Sequence, residues 1–89
     1  MIDLLYNVVR KVIVPKYPWI KDFVWTSNYF GGSKYYSLEL TVSDDFYFKQ
    51  TGFSYDKLYD EVKMLFRLIG PDENEFFDDV RFSPENEDD

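Results

Sequence analysis

Apolar residues recur at helical spacing from the start of the chain: Ile2, Leu5, Val8, Val9, Val12 and Ile13 share one arc, and Asp3, Asn7, Arg10 and Lys11 fill the other. The pattern predicts an amphipathic helix ending near Val14, because Pro15 and Pro18 lack the N–H donor that a continuing helix needs. From Asp22 to Phe30 the residues become β-branched and aromatic, which predicts a strand. Gly31-Gly32 then supplies the positive φ angles of a tight reversal. The return strand, 35–43, alternates: Tyr36, Leu38, Leu40 and Val42 fall on a face to be buried, and Tyr35, Ser37, Glu39 and Thr41 on a wet one. Asp44-Asp45 reads as a turn, and Phe46-Tyr47-Phe48 as a short third strand broken by Thr51-Gly52.

A second long helix follows. Ser54 is its expected N-cap, Phe53 and Leu58 stand at staple spacing, and Asp56 suits the positive helix end. Leu58, Val62, Leu65 and Ile69 form its stripe, widened by Tyr55, Tyr59 and Phe66, and Gly70-Pro71 terminates it. Beyond Pro71, Asp72 and Glu75 form a capping-box-like D-x-x-E ahead of Phe76, Phe77 and Val80, which predicts a short helix over about 73–80. The rival reading adds a strand to the sheet edge through residues 79–82. The expected fold class is α+β: two helices packed on one face of a small antiparallel sheet, in the order α-β-β-(β)-α, with a short C-terminal helix and an acidic tail.

Charge divides the 89 residues unevenly. Residues 71–89 hold nine carboxylates and one arginine, net −8, whereas residues 1–70 hold nine Lys/Arg and eight Asp/Glu, net +1. This suggests a folded body over 1–70 and an acidic, aromatic segment over 71–89. Aromatics make up 21% of the chain, too many for a disordered protein, while residues 84–89 have the composition of a frayed tail.

Cysteine is absent, so neither disulfides nor a thiolate nucleophile is available; histidine is absent too, removing the commonest general base and metal ligand. No phosphate-cradling glycine loop occurs, since Gly31-Gly32 reads as a hairpin turn. Adjacent acids at Asp44/Asp45 and Asp78/Asp79 read as solvated pairs in a chain too small for a deep cleft. Asp72, Asn74 and Asp78 fall at positions 1, 3 and 7 of a calcium-loop window, but Phe77 occupies its glycine position and Ser83 the place of its bidentate Glu. No enzymatic activity, cofactor or metal is expected. Polar residues interrupt the N-terminal apolar stretch, so neither a signal peptide nor a membrane span is read there, and an intracellular protein is expected.

What remains is binding. Asp72, Glu73, Glu75, Phe76, Phe77, Asp78, Asp79 and Phe82 combine a negative field with aromatic anchors, a composition suited to docking on a basic protein surface, as an inhibitor or accessory factor would. The competing reading packs Phe76, Phe77, Val80 and Phe82 on the body as core, and the two combine if Phe76 points inward and Phe77 or Phe82 outward. The alternative is nucleic-acid binding through Arg10, Lys11, Lys16, Trp19 and Lys21, with bases stacked on Trp19, Trp25 or Tyr35. The chain's net charge of −7 makes that less favourable. A third reading is a structural subunit of a larger assembly, and the strand face of Tyr35, Ser37, Glu39 and Thr41, with the aromatics of the 22–30 strand, also suits a partner or a second copy of the chain.

Overall fold

The computed structural model describes residues 2–49 and 52–86, without the side chains of 48 and 52–54. α1 (Ile2–Val8) runs without a break into a π turn over Val9–Ile13 and a 3₁₀ turn over Val14–Lys16. Two strands follow, β1 (Ile20–Phe30) and β2 (Ser33–Val42), then the helices α2 (Asp44–Lys49) and α3 (Gly52–Ile69), and finally β3 (Glu75–Pro84). The fold is α+β with a three-stranded mixed sheet in the order β1-β2-β3.

The first helix continues past its predicted end because its geometry changes with the sequence. The Val14 N–H bonds back to the Val9 carbonyl, five residues away, and Pro15 then sits in the first turn of the 3₁₀ segment, where no N–H is required. Leu5, Val9 and Ile13 are completely buried along one line.

β1 and β2 form the predicted hairpin. Gly31 (φ 60°) and Gly32 (φ 82°) make its two-residue turn, and the left-handed geometry of both matches the twist of the strands. Tyr36, Leu38, Leu40 and Val42 are buried, as the alternation predicts, but Ser37, expected on the wet face, is buried as well, its hydroxyl bonded to Asp78. Tyr36, Leu38, Leu40 and Val42 meet Leu5, Val9 and Ile13 of the first helix and Leu58, Val62 and Phe66 of α3 in one core. α3 stops at Gly70, whose φ of 81° turns the chain away and whose N–H bonds to the Arg67 carbonyl. The Ser54 cap and the Phe53–Leu58 staple fall outside the described side chains.

Three expectations are corrected. The aromatic run 46–48 belongs to helix α2, which Ser43 caps by accepting the Phe46 N–H on its Oγ at 3.3 Å. Residues 75–84 form a strand in place of a C-terminal helix. That strand pairs with β2 in parallel, so the sheet is mixed. A parallel neighbour needs a long crossover, which α2 and α3 provide. The boundary expected at Gly70 thus lies between α3 and β3, and Val80, beyond it, is buried in the common core.

β3 carries a bulge. Phe77 stands opposite Tyr36, but Ser37 stands opposite Asp79, leaving Asp78 as an extra residue. The insertion keeps Phe77, Val80 and Phe82 all on the helix side, where they pack on the core.

Candidate interaction surface

All the helices cover one face of the sheet, and the described residues place none on the other. Register assigns that helix-free face in rows across the strands. Nearest the hairpin turn, Phe30 stands opposite Ser33. The next row is Asn28, Tyr35 and Phe76, followed by Thr26, Ser37 and the bulge, then by Val24, Glu39 and Arg81. Phe76 stacks on Tyr35, with ring centroids 5.4 Å apart and planes at 25°. It remains 44% exposed, and Phe30 is 78% exposed. Tyr29, on the opposite side of the tip, lies under the Lys34 ammonium at 5.5 Å.

Phe77 and Phe82 point inward, as the reading of these residues as core has them, whereas Phe76, expected inward, points outward. Phe77 meets Trp25, Tyr59 and Phe66 edge-on or tilted, at centroid distances of 5.3 to 6.3 Å. Phe82 is T-shaped against Trp19, Phe46 and Tyr55. The bulge puts Phe77 and Phe82 on the same side, because one extra residue changes which positions share it.

The carboxylates divide into structural and exposed groups. Asp79 accepts a hydrogen bond from the Tyr55 hydroxyl and another from the Val80 N–H, tying β3 to α3. Glu75 accepts from the Asp72 N–H and from the Tyr36 hydroxyl, both at 2.9 Å. The Asp72 N–H, with help from Tyr36 and the Lys34 charge, holds the Glu75 carboxyl below the usual range. Asp78 is exposed and accepts from the Ser37 hydroxyl at 3.3 Å. Asp72 and Glu73 are exposed in the turn before β3. Beside Phe76, a surface hollow of about 170 Å³ is lined by Lys63, Phe66, Arg67, Pro71, Glu75 and Phe77.

The basic stretch is divided too. Arg10, Lys11 and Lys21 are exposed, and Arg10 and Lys21 line a hollow of about 110 Å³ with Asp22 and Phe23. Lys16 pairs with Glu61 at 3.4 Å. Trp19 stacks face to face on Phe46, with centroids 3.7 Å apart and planes at 2°, and lies 5.2 Å from the Tyr17 ring. Trp25 is buried. Among the described residues, no three carboxylates converge as a metal site requires, and no helix is long and apolar enough to cross a membrane.

From sequence, the exposed rings of Tyr29 and Phe30 enter only collectively, among the aromatics of residues 22–30. The signal was present, since a two-residue turn fixes Phe30 opposite Ser33 and so on the same face as Tyr35. Met64 and Leu68, exposed on α3, carry no comparable signal. A scan of protein-family models finds no match to this chain, and neither do searches of curated proteins and solved structures.

Proposed function

We propose that this chain is a non-enzymatic protein-binding module that docks a basic partner segment on its helix-free sheet face, centred on Phe76. The observation that carries the reading is the exposed Phe76 ring stacked on Tyr35, when the other rings of its strand pack inward. Phe30 extends the apolar surface by one row, and Asp72, Glu73 and Asp78 flank Phe76 along the chain with exposed negative charge. An aromatic anchor inside a charged rim is the usual anatomy of a hot spot, with charge steering the encounter and ring burial holding the complex. Asp79 and Glu75 serve the fold, and Phe77 and Phe82 serve the core. A role as an inhibitor or accessory factor that occupies a partner's basic surface fits this design.

Cutting the chain after Gly70 would remove a strand of the sheet, so point substitution is the proper test. A displayed peptide library selected on the immobilised full chain is expected to yield peptides with several Lys/Arg beside an aromatic or aliphatic anchor. Their binding should weaken with salt. Phe76→Asp should weaken it by about thirtyfold, the loss of one hot-spot residue, while the circular dichroism spectrum is unchanged. Selected peptides without basic residues, or binding indifferent to Phe76→Asp, would overturn the proposal.

A further inference from the structure

We infer that the outer half of the β1 edge is a self-pairing surface, through which a second copy of this chain adds its own β1 to form a continuous six-stranded sheet. β1 is an edge strand, and its backbone groups alternate between facing β2 and facing outward. Two hydrogen bonds identify the outward set. The Phe23 N–H goes to the Asp22 carboxylate at 2.8 Å, and the Trp25 N–H goes to the Tyr6 hydroxyl at 3.2 Å. Odd-numbered residues therefore face away from β2, which agrees with Phe30 and Ser33 closing the two-residue turn as a hydrogen-bonded pair.

The inner half of this edge is thus covered, by Asp22 and by the first helix acting through Tyr6. The outer half leaves the outward groups of Ser27 and Tyr29. These two residues are symmetric about Asn28, so a two-fold axis through Asn28 sets Ser27 against Tyr29 of the other copy, and Tyr29 against its Ser27. Each pair exchanges two backbone hydrogen bonds, and the arrangement is closed. The lengths also match. In this register Phe30 of one copy stands opposite Thr26 of the other, and the Gly31-Gly32 turn then ends the incoming strand beside Trp25, where the Tyr6 cover begins.

Charge selects the same occupant. Residues 23–30 carry no charge, in a chain whose net charge is −7, so two copies meet on the one edge where their like charges do not oppose each other. The usual protections of an edge strand, a charged residue and an irregularity, sit at Lys21, Asp22 and the register shift between Ile20 and Asp22. They guard the inner half alone. The dimer would leave both Phe76 clusters on one extended face, but it does not depend on them, because Phe76 lies on the far edge strand.

The chain contains no cysteine, so a single introduced cysteine reports the register. Across the axis the two Asn28 Cα atoms would be about 4.5 Å apart, within disulfide range, whereas the two Thr26 Cα atoms would be roughly 14 Å apart. Asn28→Cys in the full chain should oxidise to a covalent dimer and Thr26→Cys should not. In sedimentation equilibrium, the unmodified chain should dimerise with concentration. Ser27→Pro, which removes only outward-facing N–H groups and spares the β2 ladder, should raise the dissociation constant at least about tenfold, since it deletes two hydrogen bonds per dimer. Phe76→Asp should leave that constant unchanged. A chain that stays monomeric at millimolar concentration overturns the inference. So does equal cross-linking at positions 26 and 28, or a dimer indifferent to Ser27→Pro.

Discussion

The Tyr55 hydroxyl of α3 donates a hydrogen bond to the Asp79 carboxylate in the bulge of β3, binding the crossover helix to the strand it delivers. The bond involves a charged acceptor at a half-buried position. Tyr55→Phe is therefore expected to cost about 1–2 kcal/mol in urea unfolding, and Asp79→Asn a similar amount. The double variant should fall short of the sum, because both changes remove the same bond. Strict additivity would show that the two groups do not interact in solution.

Tyr17 donates to the Glu61 carboxylate at 2.6 Å, and burial followed by this bond pushes its phenol up to about 12; burial and Asp79 push Tyr55 to about 12 as well. Both folded values lie above the ordinary 10.0, so the folded state favours the neutral phenols. The resulting stabilisation is complete below pH 10 and is lost as pH rises through about 12. In an ultraviolet titration of the eight tyrosines, these two should ionise late, and Tyr17→Phe should remove part of the late phase. A titration in which all eight ionise together at the ordinary value would contradict this.

Deleting Asp78 should do far more harm than replacing it. Without the extra residue, Val80 and Phe82 exchange sides with their neighbours relative to β2, because side chains alternate along a strand. The deletion is expected to abolish cooperative unfolding and the near-ultraviolet dichroism of the packed rings. Asp78→Ala keeps the count and loses the Ser37 bond, for about 1 kcal/mol. Comparable stability of the two variants would mean that the bulge does not set the side of Val80.

Phe76 and Phe77 are adjacent but should respond in opposite ways. Phe77→Ala opens a gap among Trp25, Tyr59 and Phe66 and is expected to cost about 2–3 kcal/mol, somewhat under the figure for a fully buried ring. Phe76→Ala, on the exposed face, should cost under about 1 kcal/mol, mostly its stacking on Tyr35. Urea melts of the two variants check the orientation directly.

The hairpin and the two long helices were legible because their signals are local: periodicity in 2–13 and 55–69, alternation in 35–42, and glycines at the turn and at the end of α3. β3 reads first as a helix, with the edge strand that forms only as the rival, for equally local reasons. The bulge sets Phe77 and Val80 three apart on one side, which imitates helical spacing. The Asp72 N–H to Glu75 bond, half of a capping box, forms here without a helix behind it. Its true partner, β2, lies some forty residues away, and no short-range pattern reports a parallel pairing at that distance. α2 was hidden by the strand propensity of three aromatics, although Ser43 and the acids Asp44 and Asp45 already marked a helix start. The same bulge that disguised β3 decided which of its rings were free, so the site could not be oriented before the strand was.

Because β2 is the central strand and β3, its second neighbour, follows α3, the sheet stays unfinished until the residues beyond α3 have been synthesised. A nascent chain that has emerged only as far as α3 holds Leu38 and Leu40 beside an open row of peptide groups, with Val80 not yet in place. That intermediate is prone to the wrong strand-to-strand encounters. The acidic residues that follow α3 arrive with the strand that closes the gap, so the chain's most soluble stretch is delivered together with the closure of its stickiest edge.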